Sequence, residues 1–326
     1  MRNNKKFILF TGITILLAIG YLIADNMLFN GIKSKPINES GFQANYFAKK
    51  NTKSKTAVIL IGGGQWGDYW AQEFANKEMV GLSLPYIGKE GLPKLPEEID
   101  LEYFENAIKW LEKQKEVDSN KIIVMGASRN AELALIIASK FPKIVNGVIA
   151  YAPSSVSWSN TVLPYNSNKL KPSWTYKGID IPYVPMEKIS GNESNKIKML
   201  EYWENGLSKT ALVNKAFIKV EQIAGPILLF SGIDDKVWPS AKMADMIEKR
   251  LKENNFKHSY KNIQYENAGH LISSNPKLNS NIRTGNINID RKVYEYQFGG
   301  TDDGDFKAKK DAYLQVFKLI SNLKND

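Results

Sequence analysis

The chain has 326 residues, 43% of them hydrophobic and 11% aromatic, so it can bury a sizeable core and is not a disordered chain. It contains no cysteine and only two histidines, which excludes a disulfide framework, a thiolate nucleophile and a Cys- or His-rich metal site; no cofactor is predicted. The formal net charge of +10 suits a solvated lysine-rich surface, anionic lipid headgroups or a phosphate-bearing substrate, but the sequence lacks the basic stripe with interleaved aromatics that would indicate nucleic-acid binding.

The first predicted element is an N-terminal membrane segment. Residues 7–24 are uncharged, and at ~1.5 Å per residue they would form a helix of about 27 Å, close to the thickness of a hydrocarbon core. Arg2, Lys5 and Lys6 precede it, so the positive-inside rule places the following domain outside the cytoplasm. A cleaved signal peptide, giving a secreted protein, is the alternative, although no A-x-A pattern follows. We therefore predict an anchor or signal peptide over residues 1–30 and a polar spacer over residues 31–55.

Residues 56–326 show strands that alternate with helices, which favours a mostly parallel sheet with helices on both faces. The insertion between two core strands, about 154–219, breaks this pattern with aromatic and proline clusters, and it predicts a lid without strands of its own. The predicted strands are residues 56–61, 80–86, 121–125, 147–153, 226–232 and 259–266, and the predicted helices are residues 67–78, 96–114, 131–141, 196–207, 240–254 and 305–323.

A serine stands at one strand-to-helix turn, in the sequence Gly126-Ala127-Ser128-Arg129-Asn130. A nucleophilic serine needs such a turn, because it holds the hydroxyl clear of the backbone and beside the amides that open the next helix. Small residues flank this kind of serine, and Asn130 stands where a second glycine would let the helix approach the strand. An ordinary helix N-cap is the alternative role for Ser128.

A serine hydroxyl becomes a useful nucleophile when a histidine accepts its proton and a carboxylate orients that histidine. The loops after two late strands supply both groups in the expected chain order. Asp235 is the preferred acid because of its G-x-x-D-x-x-x-P spacing, and Asp234 is the fallback. His270 is the preferred base, since His258 lies in a Lys/Asn-rich connection that suggests a surface position.

Two backbone N–H donors are needed to stabilise an oxyanion. The amide of Arg129 is one candidate, and the glycine loop after the first predicted strand, Gly63, Gly64 and Gln65, offers the other. No phosphate-loop or dinucleotide-binding spacing follows these glycines. Aromatic side chains either line an acyl pocket or pack the lid onto the core, and they are Trp66, Trp158, Trp174, Tyr176 and Tyr183.

Several blocks resemble one family. The stretch LPYIGKEGLPKLPEEIDLEYFENAIKWL, then GASRNAELALIIAS, PSWTYKGIDIPYVP, GPILLFSGIDDKVWPS and YENAGHLI, are similar to the C-terminal catalytic domain of acyl-CoA thioesterases and bile acid-CoA:amino acid N-acyltransferase. The resemblance spans about residues 56–320. It implies an α/β-hydrolase fold, acyl transfer from a thioester through an acyl-enzyme, and a triad at Ser128, Asp235 and His270.

The resemblance leaves three functions open. A serine nucleophile, as in the thioesterase branch, favours hydrolysis of an acyl thioester or carboxylic ester, whereas the N-acyltransferase branch uses cysteine. Transfer to a non-water acceptor is one alternative. A catalytically impaired scaffold that binds a lipid or partner is another, because Asn130 replaces the family's glycine. Acyl-CoA is a cytoplasmic metabolite, so an extracytoplasmic domain would act on another ester, thioester or amide.

Overall fold

The computed structural model describes residues 13–21, 32–160, 169–278 and 281–323. Residues 13–21 are helical and exposed, and the remainder of the predicted membrane segment lies outside the described residues. Within those ranges no helix has both the length and the apolar character needed to cross a bilayer. The described residues therefore give the predicted anchor no support.

The central element is an eight-stranded sheet with strand order β1-β2-β4-β3-β6-β7-β11-β12. Strands β2 and β4 pair antiparallel, and every neighbouring pair from β4 to β12 is parallel. The eight strands are β1 (Lys35–Glu39), β2 (Phe42–Phe47), β3 (Lys55–Ile61), β4 (Val80–Leu84), β6 (Val117–Ala127), β7 (Val148–Tyr151), β11 (Ile227–Gly232) and β12 (Tyr260–Tyr265).

Helices cover both faces of this sheet, as the alternating pattern predicts. Side chains of α2, α3 and α6 share one buried apolar cluster, and side chains of α1 and α7 share the cluster on the opposite face. This arrangement is an α/β-hydrolase fold, so the predicted fold is confirmed. The helices are α1 (Gly64–Asn76), α2 (Glu102–Glu112), α3 (Arg129–Lys140), α4 (Met199–Leu207), α5 (Thr210–Ala216), α6 (Ser240–Glu253) and α7 (Asp302–Asn322).

The predicted spacer differs from the structure. Instead of a polar connection, residues 35–47 form the β1–β2 hairpin, and β2 pairs with β4 to extend the central sheet. The hairpin is held because it buries one apolar face, including Ile37, Phe42 and Ala44, against the core. Between these positions lie Asn38, Glu39, Ser40, Gly41 and Gln43, and these polar and small residues made the segment resemble a connection.

The predicted start of the second helix is also wrong. α2 begins at Glu102, and Asp100, which was predicted to lie in the first turn of this helix, belongs to a short strand, β5 (Ile99–Asp100). This strand pairs with β8 (Trp174–Tyr176), which pairs in turn with β9 (Ile179–Asp180). The insertion therefore has strands of its own, contrary to the prediction, and one of its sheets is completed by the core chain.

A second hairpin was missing from the prediction. It consists of β13 (Thr284–Ile289) and β14 (Lys292–Gln297), and β14 pairs with the insertion strand β10 (Lys196–Ile197). Directly after β14, Gly299 forms a bridge with Asp235, and the carbonyl of Phe298 accepts the amide of His270 at 2.9 Å. The hairpin thus supports the two loops that carry the predicted acid and base.

Candidate active site

Ser128 lies at the turn between β6 and α3. Its backbone has φ 57° and ψ −126°, a left-handed conformation that is strained for a residue with a side chain. Its side chain makes no capping hydrogen bond to the helix, so the N-cap alternative has no support. The hydroxyl is instead directed at His270. Strain of this kind is expected where a turn holds a reactive group clear of its own backbone.

The packing around this turn explains how Asn130 is tolerated. A Cβ at Gly126 would lie 2.1 Å from the carbonyl oxygen of Asn130, so the helix backbone approaches the strand closely, and glycine is required on the strand side. The Asn130 side chain leaves that contact, and its Nδ2 atom occupies the space where a Cβ at Gly62 would lie, 2.2 Å away. Its Oδ1 atom accepts a 2.9 Å hydrogen bond from the Tyr86 hydroxyl. The bulk that replaces the family's glycine is therefore accommodated by Gly62.

Three predicted residues form one continuous hydrogen-bonded chain. Ser128 Oγ lies 3.0 Å from His270 Nε2, and His270 Nδ1 lies 2.9 Å from Asp235 Oδ2. The Asp235 side chain is 2% exposed, and that of His270 is 9% exposed. With Nδ1–H donating to the carboxylate, Nε2 is free to accept the serine proton. The geometry suits activation of a hydroxyl nucleophile.

The two neighbouring aspartates have different environments. Asp235 Oδ1 accepts the amides of Val237 and Trp238 at 2.9 and 3.2 Å, which fixes its carboxylate. Asp234 is 43% exposed and pairs with Lys236 at 2.6 Å. Burial alone would raise the pKa of Asp234, but hydrogen bonds from Lys236 and the Gly300 amide outweigh that effect and lower it. Asp234 therefore braces the loop, and Asp235 faces the histidine.

Two polar residues that the sequence analysis missed support this pair. The buried Ser240 hydroxyl donates to Asp235 Oδ2 at 2.7 Å, the same oxygen that faces His270. The buried Asp305 accepts the amide of Gly269 at 2.8 Å and thereby fixes the residue before His270. Ser240 directly follows the D-x-x-x-P spacing, so its place in the sequence was the available signal. Asp305 had none, because it reaches the loop from α7.

The remaining histidine lies elsewhere. His258 is exposed in the connection between α6 and β12 and contacts the Phe256 ring at 5.4 Å. That connection enters β12 at its amino end, whereas Ser128 follows the carboxyl end of β6. His258 therefore cannot serve the same site.

The predicted oxyanion donors separate into two groups. The amide of Gly63 donates to the carbonyl of Leu60 at 3.3 Å within the turn, so it is not available to a ligand, contrary to the prediction. Gly64 and Gln65 are exposed in the first turn of α1, where an amide has no acceptor within its own helix. Arg129 opens α3 in the same way. The amides of Arg129, Gly64 and Gln65 are the candidates that remain.

The Arg129 side chain has a separate structural role. Its guanidinium, 10% exposed, is ion-paired with the fully buried Glu132 and donates to Ser173 Oγ at 2.5 Å. Glu132 Oε1 also accepts the Trp158 amide at 3.0 Å and the Trp174 indole N–H at 2.8 Å. Burial raises the pKa of Glu132, and the positive charge of Arg129 opposes that shift. This cluster, which we call the Glu132 clasp, fastens the insertion to the helix that carries the nucleophile.

The predicted lid tryptophans pack the insertion onto the core. Trp158 and Trp174 are both fully buried, so neither is exposed to an acyl chain. Trp158 contacts Trp203 at 4.8 Å between ring centroids, Trp203 contacts Trp238 at 5.0 Å, and Trp238 contacts the His270 ring at 6.0 Å. A continuous aromatic row therefore links the insertion to the histidine. Trp203 and Trp238 were not among the predicted site residues.

The other predicted aromatic residues have three different settings. Tyr176 contacts Phe141 at 5.5 Å, next to the far end of α3, so it does not line the site. Tyr183 is partly buried in the insertion, and burial raises its pKa. Trp66 is partly exposed, and its indole N–H donates to the carbonyl of Ser273 at 3.0 Å. Trp66 thus joins the glycine loop to the segment after His270.

A groove of about 800 Å³ lies beside the loop of the predicted acid. It runs between β10, α4 and β14, and Lys236, the residue after Asp235, forms part of its wall. Polar and aromatic side chains line it, including Lys196, Lys198, Tyr202 and Tyr296. Among the described residues no group of three or more carboxylate or imidazole side chains could hold a metal ion. The charged side chains of the groove are three lysines and two glutamates, a net charge of +1, so the groove is suited to a polar ligand that carries an anionic group.

A family model described as BAAT / Acyl-CoA thioester hydrolase C terminal matches residues 99–323. Among curated proteins, the chain is 30% identical to mouse acyl-coenzyme A thioesterase 1 over 76% of this chain and 56% of that protein. It is 26% identical to mouse acyl-coenzyme A amino acid N-acyltransferase 2 over 74% of this chain and 55% of that protein. The chain thus spans little more than half the length of these two relatives.

Solved structures support the fold. The crystal structure of a dienelactone hydrolase-like promiscuous phosphotriesterase from metagenomic libraries aligns with 90% of this chain and 99% of that chain. The TM-score is 0.53, and the sequence identity is 11%. At that identity the similarity concerns the fold alone. The sequence relatives and the geometry around Ser128 must carry any functional argument.

Proposed function

We propose, from the premise that the chain belongs to the BAAT / acyl-CoA thioester hydrolase C-terminal family, that it is a serine hydrolase of acyl thioesters or carboxylic esters. The observation that carries the proposal is the hydrogen-bonded chain from Ser128 Oγ through His270 to the buried Asp235. A strained turn, a fixed carboxylate and the amide of Arg129, which opens the helix directly after the serine, support the same function.

The proposed reaction has two halves. His270 Nε2 accepts the Ser128 proton as Oγ attacks the acyl carbon, and the amides of Arg129 and of Gly64 or Gln65 stabilise the oxyanion. The tetrahedral intermediate collapses, the bond to the leaving group breaks, and His270 gives that group its proton. Water then attacks the acyl-Ser128 ester with His270 as base, which releases the carboxylic acid and restores the hydroxyl. Asp235 stays ionised and stabilises the imidazolium throughout.

We place the leaving group of a thioester in the groove beside Lys236. An acyl-CoA presents several phosphate charges on its leaving group, and the groove wall carries Lys196, Lys198 and Lys236 together with Glu201 and Glu295. Lys198 and Lys236 are engaged by Glu201 and Asp234, and Lys196 has no ion-pair partner among the described residues. Lys196 is therefore the first candidate contact for a phosphate. The names of the curated thioesterase relatives support this substrate class.

Covalent labelling tests the nucleophile. A fluorophosphonate probe should label the wild-type protein and leave Ser128→Ala unlabelled, because the probe reacts with an activated serine. Ser139→Ala serves as the matched control, since this buried serine bonds only to the carbonyl of Ile136 in the same helix. Absence of labelling in folded wild-type protein would contradict the proposal and favour the catalytically impaired scaffold. A panel of acyl-CoAs and short aryl esters then identifies the substrate.

Acyl transfer to a non-water acceptor is the second candidate function. Similarity to the mouse N-acyltransferase is the observation that favours it. Acyl transfer would proceed through the same acyl-enzyme as hydrolysis and would differ only in the group that attacks the acyl-enzyme. Product analysis in the presence of amines and alcohols distinguishes the two, because transfer yields a conjugate and hydrolysis yields only the free acid.

We further propose that residues 7–24 anchor the protein in a membrane, with a cleaved signal peptide as the alternative. The uncharged sequence and the basic residues before it support this. Intact mass of the protein from its native host separates the two, since cleavage removes the segment. Protease protection in sealed vesicles reports which side carries the domain. An extracytoplasmic domain would favour an ester or amide over acyl-CoA as the substrate.

A further inference from the structure

One end of the central sheet carries a concentrated positive charge. Chain connections and strand starts converge there, and their lysines, which we call the lysine face, are Lys33, Lys35, Lys49, Lys50, Lys53, Lys55 and Lys115. The two shallow concavities on this face, of about 520 and 440 Å³, include two carboxylates, Glu116 and Glu78. Seven lysines against two glutamates leave a net charge of +5, half of the formal +10 of the whole chain.

Most of these charges are not compensated by any residue that the structure describes. Lys35, Lys50, Lys53, Lys55 and Lys115 form no ion pair among the described residues. Lys49 donates to the carbonyl of Asn76 at 2.9 Å, which leaves its charge uncompensated. Like charges held this close repel one another, so a surface that brings many negative charges to the same plane would be favoured.

The lysine face lies at the opposite end of the sheet from Ser128. Lys55 begins β3, and its amide bonds to the chain just before β6, at Glu116. Ser128 follows the last residue of β6. The seven residues of β3 at about 3.3 Å each separate the two ends by roughly 20 Å. A surface bound to the lysine face would therefore leave the candidate active site open to water.

The N-terminal helical segment meets the domain on this same face. The ammonium group of Lys33 lies 3.4 Å from the Tyr21 hydroxyl and 5.5 Å from the centre of its ring. Tyrosine is enriched at the boundary between lipid and water. The helical segment also exposes large apolar side chains to solvent, and these are Ile13, Ile15, Leu16, Leu17 and Ile19. An apolar segment and a basic plane thus adjoin, which suits a bilayer with anionic headgroups.

We propose that the lysine face docks on an anionic membrane surface and turns the candidate active site away from the bilayer. The substrate would then reach Ser128 from the aqueous phase, not from the plane of the membrane. The inference concerns a second surface, so it does not rest on catalysis by Ser128. The inference also does not require the apolar segment to span the bilayer. The two kinds of membrane contact can be distinguished, because insertion of the apolar segment depends little on lipid charge, whereas contact of the lysine face depends on it strongly.

Single-cysteine labelling of the full-length chain tests this orientation, because the natural sequence has no cysteine. A fluorophore at Ser34→Cys reports on the exposed residue between Lys33 and Lys35. A fluorophore at Asn288→Cys reports on the exposed face of β13, near the turn of the hairpin whose other end supports the loops of the triad. Each label is quenched by iodide with vesicles of phosphatidylcholine alone or with 30% phosphatidylserine. Shielding is the iodide quenching constant measured with phosphatidylcholine vesicles divided by the constant measured with vesicles that contain phosphatidylserine.

With anionic vesicles we expect shielding of at least about fivefold at position 34 and none at position 288, because each lysine near such a surface adds roughly fivefold to partitioning. The variant Lys50→Gln/Lys53→Gln/Lys115→Gln should lose this shielding, as should 0.5 M NaCl. The matched control Lys89→Gln/Lys94→Gln/Lys215→Gln removes three exposed lysines away from the face and should keep it. Thermal unfolding verifies that each variant is folded.

Three results would overturn the proposal. The first is equal quenching at position 34 with both kinds of vesicle. The second is shielding at position 288, which would place the β13–β14 hairpin, and not only the lysine face, against the lipid. The third is shielding at position 34 by 10 mM inorganic phosphate or by DNA without vesicles, which would assign the face to a soluble anion or a nucleic acid. The quenching measurements do not depend on the reactivity of Ser128, and fluorophosphonate labelling does not depend on membrane contact. The two proposals can therefore fail independently.

Discussion

The two ends of the central sheet use charged side chains in opposite ways. At the carboxyl end, Asp235 and Glu132 are buried, and each has its oxygens fixed by several donors. At the amino end, lysines such as Lys50, Lys53 and Lys115 are exposed, and they form no ion pair within the described part of the chain. Burial makes a charge sensitive to the position of every partner, whereas exposed charges act through their number. Single substitutions should therefore have large effects at the first end and small effects at the second.

The largest effect is expected at the buried aspartate. Asp235→Asn should lower kcat by about 10³- to 10⁴-fold, because an amide cannot hold the His270 tautomer that accepts the serine proton. Asp234→Asn, which changes the exposed neighbour, should alter kcat by less than about threefold. Steady-state kinetics on one aryl ester measures both. A greater loss in Asp234→Asn would show that the acid has been assigned to the wrong residue.

The Glu132 clasp should dominate stability. Glu132→Gln leaves the buried Arg129 guanidinium without its counter-ion and should cost about 3–5 kcal/mol in the free energy of unfolding. Glu253→Gln removes an exposed partner of Lys249 and should cost less than about 0.5 kcal/mol. Urea denaturation followed by tryptophan fluorescence compares them. Equal costs for the two variants would mean that the insertion is not fastened through Glu132.

A smaller effect is expected from the serine behind the aspartate. Ser240→Ala removes one hydrogen bond to Asp235 Oδ2 and should lower kcat about tenfold, equivalent to about 1.4 kcal/mol. KM should stay within twofold, because Ser240 acts through Asp235 and does not touch substrate. Ser139→Ala is again the control. A rise in KM with kcat unchanged would assign Ser240 a different role.

The smallest effect concerns a buried lysine that lacks a partner. Lys309 Nζ has no hydrogen-bond partner among the described residues, and burial lowers its pKa, although Asp305 favours the charge. A base whose pKa is lowered by folding costs stability at pH values below its ordinary pKa. Lys309→Met should therefore raise the free energy of unfolding by about 1 kcal/mol at pH 7. The gain should shrink as the pH rises towards and beyond 10.5, because the amine then loses its proton in the unfolded state as well.

The exposed neighbour provides the control for that substitution. Lys310→Met lies on the same helix and should change the free energy of unfolding by less than about 0.5 kcal/mol at either pH. Denaturant titrations at pH 7 and pH 10 measure both variants. Destabilisation by Lys309→Met at pH 7 would show that its attraction to Asp305 outweighs the cost of burial.

Local signals were enough to predict the framework of the fold. Apolar runs that end in glycine marked β3, β6 and β11, and the loops after β6, β11 and β12 carry Ser128, Asp235 and His270. The spacing around Asp235 also distinguished it from Asp234, because the loop fixes which of the two faces inward. Hydrophobic periodicity and the order of the loops depend on residues that are close together in the sequence, so a single sequence is enough to recognise them.

The missed features depend on distant partners. The β1–β2 hairpin shows its apolar face only once β2 pairs with β4, and the strand at Ile99–Asp100 exists because Trp174–Tyr176 completes it. Likewise, the sequence fits Trp158 and Trp174 equally well to an acyl pocket or to packing of the lid, and only their full burial in the folded chain assigns them to packing. No pattern within either segment encodes these contacts.

The most direct test of the central claim is to trap the acyl-enzyme. The protein is mixed with an activated aryl ester, quenched in acid within milliseconds, digested and analysed by mass spectrometry. We predict a burst of the aryl alcohol close to one equivalent and an acyl group on the peptide that contains Ser128. Turnover with neither a burst nor an acylated Ser128, or with the acyl group on another residue, would contradict the account.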